Sequence, residues 1–77
     1  MQNKKSIYQN AKELMKSTAK ELKSTSNDKP YIRYELNNML DSMCKQFDFY
    51  AMKETISQKK ADLYKIWLSS YTCNLHP

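Results

Sequence analysis

The sequence predicts an all-α fold, a three-helix bundle with helices over about residues 4–23, 30–51 and 56–72. Three observations carry this. Glycine is absent and there are only two prolines, so residues that adopt positive φ at no steric cost are missing, which argues against tight hairpins, glycine-rich phosphate loops and most all-β folds. Apolar residues recur at helical spacing in three segments. Polar, turn-prone residues separate the first segment from the second.

The first segment repeats Ile7, Ala11, Leu14, Met15, Thr18 and Leu22 on one face. On a wheel of about 100° per residue, Lys5, Lys12, Lys16, Lys20 and Lys23 gather on the other side, which makes the helix strongly amphipathic with a lysine back. "STSNDKP" ends it, and Pro30 behind an Asp or Ser suits the opening turn of the next helix.

The second segment is the most regular. Ile32, Leu36, Met39, Leu40, Met43, Phe47 and Tyr50 fall within one narrow arc, and Tyr31, Tyr34, Asn38, Asp41 and Lys45 occupy the opposite face. The two tyrosines there are expected to be exposed. The pattern then loosens between Phe49 and Ser57. "TISQ" fits a capping box with Thr55 as cap and Gln58 reaching back, so a turn is placed at Lys53–Thr55. The alternative is one continuous helix, because a heptad register runs from Leu36 to Tyr71 without Gly or Pro, and such a helix would have to dimerise to bury its apolar side.

The third segment contains "DLYKIWLSSY", whose apolar side chains reach around more than half of the helix. Ala61, Tyr64, Leu68 and Tyr71 fall on the inward arc with Leu36 and Ile7, whereas Ile66 and Trp67 lie at or beyond its edge. "CNLHP" is expected to trail off from the helix end.

A chain of 77 residues is read as one domain, residues 1–77, with a marginal core, since folding at this size buries only about 60% of the unfolded surface. Neither an unbroken apolar leader nor a membrane-length apolar run is present, and the expectation is a soluble, cytoplasmic protein with no membrane partner. The formal charge is +5, but Arg33 is the only arginine, and arginine is the side chain expected where phosphates or bases are gripped in bidentate fashion. The charge sits towards the N-terminus. Residues 1–29 carry seven lysines against Glu13, Glu21 and Asp28, whereas residues 30–77 carry six basic and five acidic residues.

The ingredients of catalysis are few. His76, the lone histidine, is the penultimate residue, where fraying works against the sub-ångström placement that catalysis requires, and no enzyme activity or cofactor is expected. Cys73 and His76 have metal-ligand spacing, but a closed zinc site wants four ligands and a second paired motif is missing, so no metal is expected. Cys44 and Cys73 should lie roughly 12 Å apart along antiparallel helices, too far for an intramolecular disulfide.

The functional expectation is a small interaction protein that regulates or inhibits a protein partner by occupying its surface. Tyr31, Tyr34, Ile66 and Trp67 are the candidate anchors, because tyrosine and tryptophan give large contact areas with few rotors. Lys5, Lys12, Lys16, Lys20 and Lys23 would steer it towards an acidic partner. The alternative is a nucleic-acid-binding regulator using the same lysines, and a homodimer is a further way to cover the aromatics. The chain also has the style of small helical proteins of phages and plasmids, among which an anti-defence inhibitor would be a special case.

Overall fold

The computed structural model describes residues 6–77 and shows three helices: α1 (Ile7–Thr25), α2 (Lys29–Met52) and α3 (Gln58–Leu75). All three pack on one another, and the all-α bundle read from the sequence is the observed architecture. Helices two and three are separate rather than continuous.

Each helix start is built by a short polar side chain. Ser6 caps α1 with a capping box in which its Oγ accepts from the Gln9 backbone N–H while the Gln9 side chain accepts from Ser6 N–H. The expected start near Lys4 is therefore corrected: Ser6 is extended, and the helix begins at Ile7. Asp28 caps α2 by accepting from Tyr31 N–H at 3.1 Å, with Pro30 in the first turn, where its missing donor costs no hydrogen bond.

The reversal between α2 and α3 departs most from expectation. A turn separates the two helices as predicted, but α3 starts later, at Gln58, and Thr55 is not the cap; Ser57 is, its Oγ accepting from Lys60 N–H at 3.1 Å. Thr55 is committed to ending the preceding helix, because its N–H donates to Tyr50 C=O at 2.9 Å while Glu54 N–H donates to Ala51 C=O at 3.0 Å. These two bonds form a Schellman termination, which requires a left-handed residue at Glu54. Glu54 has φ 62°, the only positive φ among the described residues. A chain without glycine thus places a glutamate where glycine is usual.

The C-terminal end is also longer than expected. The helix continues through Leu75 rather than ending near Thr72, so "CNL" is helical. Thr72 is fully buried and donates its hydroxyl to Leu68 C=O at 2.7 Å, and Leu75 packs on the core. These contacts hold a turn that sequence composition alone leaves to fray.

The core is formed by Met15 and Ala19 of α1, Ile32, Leu36, Met43 and Phe47 of α2, and Ala61, Tyr64 and Leu68 of α3. Tyr71 and Ile7, expected in the core, pack at its edge, and Tyr50, also expected there, is half-buried in the groove beside Met43 and Phe47. Leu14 was expected on the buried face of α1 but is 55% exposed. It sits on the α2 side of α1, at the rim of a shallow groove lined by Ile7, Ala11, Met43, Phe47 and Tyr50. Ala19 takes the central position instead. No buried side-chain nitrogen or oxygen among the described residues lacks a hydrogen-bond partner.

The left-handed backbone at Glu54 gives a direct test. A non-glycine residue there costs about 1–2 kcal/mol relative to its right-handed conformation, of which glycine relieves a part. Glu54→Gly should raise stability to urea denaturation by roughly 0.5–1 kcal/mol, whereas Glu54→Val should lower it. Equal or reduced stability of Glu54→Gly would contradict the assigned geometry.

Candidate functional site

The outer face of α3 carries three exposed large apolar side chains. Leu63, Ile66, Trp67 and Ser70 stand at i, i+3, i+4 and i+7 on one side of the helix, directly away from buried Ala61, Tyr64, Leu68 and Thr72. Ile66 is 64% exposed, Trp67 47% and Leu63 37%. After Lys65 no aspartate, glutamate, lysine or arginine follows in the chain, so this face has no charge of its own over most of its length. Ile66 and Trp67 were candidates from the sequence; Leu63, between them on the wheel, was not singled out.

Trp67 is exposed yet firmly placed. Tyr8 of α1 meets it edge-on with ring centroids 5.6 Å apart, and Tyr8 stacks on Tyr64 at 5.4 Å with an interplanar angle of 24°. Tyr64 in turn meets Phe47 of α2 edge-on at 5.4 Å. Each such pair contributes about 0.5–1.5 kcal/mol beyond simple burial. Burial, with a smaller effect from Tyr71, raises the Tyr8 hydroxyl pKa above its ordinary value, so Tyr8 is neutral at physiological pH. A ladder of rings from the core therefore supports the indole from beneath and leaves its outer edge free.

The lysine back of α1 borders this face. Lys12 Nζ lies over the Tyr71 ring, 4.9 Å from its centroid, and Lys12, Lys16, Gln9 and Glu13 line a shallow groove together with Tyr71. Further along, Lys23 is close enough to His76 to help depress its pKa. The lysine stripe therefore follows the α1–α3 seam. Lys12 is only half exposed because it leans on Tyr71. Lys16, Lys20 and Lys23 are exposed, and Lys5 lies outside the described residues.

Tyr31 and Tyr34 are exposed as expected, at 46% and 62%, but they stand on α2, away from α1 and α3's outer face. Tyr34 lines a separate open groove with Lys29, Pro30, Arg33 and Asn37. The structure brings Ile66 and Trp67 together with Leu63 and places the two tyrosines elsewhere. Phe49 and Met52, which the sequence put off the buried arc, are exposed near the end of α2.

On the α2 side, Lys65 is neutralised. It pairs with Asp48 at 2.9 Å and with Asp62 at 3.4 Å, while Gln58 donates to both carboxylates at 3.3 and 3.1 Å. Hydrogen bonds from Lys65 and Gln58 hold the Asp48 carboxyl below its usual range, and Asp48 correspondingly raises Lys65. These exposed pairs add little stability and are consistent with the α2–α3 register in which Phe47 meets Tyr64. In that register Asn37 Oδ1 meets His76 Nε2 at 3.2 Å, and Cys44 and Cys73 line one open groove with Lys65, Ile66, Ser69 and Ser70. The turn is centred nearer Ile56 than the sequence placed it, which brings the cysteines to within roughly 6 Å along the helix axes, half the expected offset. Both are nonetheless free thiols, and burial raises the Cys44 pKa. Among the described residues no group of three His, Cys, Asp or Glu is placed to hold a metal, and no helix is long and apolar enough to cross a membrane.

No protein-family model matches this chain, and no curated protein and no solved structure matches it.

The His76 contact predicts a pH dependence. Burial first, then the charges of Arg33 and Lys23, lower the His76 pKa below 6.5. A depressed histidine favours the folded state while neutral, so its contribution is fully present above about pH 6.5 and is lost as pH falls through the folded pKa. NMR of the His76 ring should give a midpoint below 6.5, and the protection of the Asn74–His76 amides, taken relative to their intrinsic exchange rate at each pH, should fall on acidification. In His76→Gln that pH-dependent loss of protection should disappear.

Proposed function

We propose that this protein is a helical interaction module that binds the surface of a protein partner through the outer face of α3 and regulates or inhibits that partner by occupying its surface. The supporting observation is the cluster of Leu63, Ile66 and Trp67, exposed side by side on one helix face with no charged side chain between them. Single exposed apolar residues are ordinary on protein surfaces, but a contiguous group that includes a tryptophan has the make-up of a binding hot spot.

The support beneath Trp67 strengthens this reading. An indole held by Tyr8 and Tyr64 loses little conformational entropy when a partner covers it. Ile66 and Leu63 then extend the contact along the helix. Tyr31 and Tyr34 stand apart and are not assigned to this surface.

Affinity capture from the cells that make the protein, with nuclease present, tests the proposal. The unaltered protein should retain a protein partner. An Ile66→Ser, Trp67→Ala variant should keep its helical circular dichroism, since both side chains are exposed, and should bind that partner at least about tenfold more weakly, which is 1.4 kcal/mol. Full affinity in the folded variant would remove this face from the binding function.

A further inference from the structure

Resting on the binding face just described, we propose that its partner is an acidic amphipathic protein segment, whose apolar ridge lies on Leu63, Ile66 and Trp67 while carboxylates along one border meet Lys12 and Lys16. The sequence separates these features: the apolar residues belong to α3 and the lysines to α1. The fold joins them into one surface, because α1 and α3 run parallel and in step. Tyr8 touches Trp67, and one helical turn later Lys12 covers Tyr71.

Charge decides between occupants. Among the described residues, the cations around the apolar face are Lys12 and Lys16 along the α1 side, with Lys59 and Lys60 at the N-terminal end of α3. On the opposite, α2 side Lys65 is cancelled by Asp48 and Asp62. Glu13 is the acid in the Lys12–Lys16–Tyr71 groove. The surface is therefore apolar in the centre, basic along one edge and near-neutral along the other. A ligand that complements all three strips has an apolar ridge with acidic residues on one flank, which is the pattern of an amphipathic acidic helix.

A second copy of this chain fits less well. An antiparallel two-fold contact through α3 sets each copy's α1 lysines against the other's, and a parallel one sets them against the α2 edge, where Asp48 and Asp62 are already paired with Lys65; the chain carries net charge +5. Nucleic acid fits less well too. The sole arginine, Arg33, stands on α2 in the groove with Tyr34 rather than beside this face, and Leu63 and Ile66 offer bases no stacking plane.

Trp67 is the sole tryptophan, so its fluorescence reports occupancy of the face. The probe is a synthetic helical peptide of about five turns, ~18 residues, with leucines along one stripe and glutamates flanking it. Controls are the same peptide with every glutamate replaced by glutamine, and a duplex DNA of similar length. The acidic peptide should shift Trp67 emission to the blue and bind less tightly as salt rises from roughly 50 to roughly 200 mM. The glutamine peptide should bind at least about tenfold more weakly. Lys16→Glu should weaken the acidic peptide several-fold, and Lys12→Glu added to it should weaken it further, with circular dichroism unchanged. Equal binding of both peptides, indifferent to the lysine changes, would overturn the acidic class while leaving the α3 face as a protein-binding surface. Absence of any Trp67 response to the acidic peptide also overturns it, as does a DNA response at comparable affinity. A dimer in sedimentation whose dissociation exposes Trp67 would assign the face to a second copy instead. Failure of the α3 face itself is read separately, from partner capture by the Ile66→Ser, Trp67→Ala variant.

Discussion

The left-handed turn at Glu54 is the constraint on which the rest of the structure depends. The heptad pattern of α2 runs on through α3 without a helix breaker, so the sequence between them is compatible with one long rod. Two backbone hydrogen bonds, from Glu54 to Ala51 and from Thr55 to Tyr50, end α2 instead, and Ser57 starts α3. Once the chain reverses there, the residues that a rod would offer to another molecule bury one another. Phe47 meets Tyr64, and Asp48 meets Lys65. The conformational strain at one residue is small beside the burial of several side chains at about 1.5–3 kcal/mol each, which is why a glutamate is tolerated there.

The same reversal fixes which residues of α3 remain outside. With Ala61, Tyr64, Leu68 and Thr72 turned inward, the opposite side of the helix must face solvent, and in this chain it carries Leu63, Ile66 and Trp67. A three-helix bundle has no further layer to cover them. Trp67 packs one side on Tyr8 and Tyr64, but a polar residue at Ile66 would leave the core untouched, so the fold supplies no reason for an apolar one there or for the outer edge of the indole. That gap between what the bundle needs and what the helix carries is the physical ground for reading the face as a binding surface.

Much of the fold was legible in the sequence because helical periodicity and capping residues are local signals. The arc from Ile32 to Tyr50 identified α2, and Asp28 with Pro30 marked its start. What was not legible depended on distant partners. Leu14 has helical spacing suited to burial, but the angle at which α1 meets α2 leaves it at the groove rim. Cys73 to Leu75 looked like a fraying tail until the buried Thr72 and the contact of His76 with Asn37 were in view. Thr55 fitted a capping box by sequence, and lost that role because its N–H was already committed to the helix before it.

The candidate site shows the same division. Periodicity alone placed Ile66 and Trp67 at the edge of the inward arc and Tyr31 and Tyr34 opposite the core, all exposed in the structure. It did not show that Tyr8 would brace Trp67, nor that the lysines would run along the seam with α3, because both follow from the parallel alignment of α1 and α3. A wheel drawn for one helix sets lysines against that helix's own apolar stripe, so they appear as a back turned away from everything. In the bundle, the flank of α1 that carries Lys12 and Lys16 adjoins a neighbour, and its charge belongs to the surface of that neighbour. A +5 chain with these lysines spread evenly over its exterior would attract any anion weakly. Setting them along one border of an apolar face gives direction as well as attraction, because the Coulomb term then favours one orientation of a bound segment over its reverse.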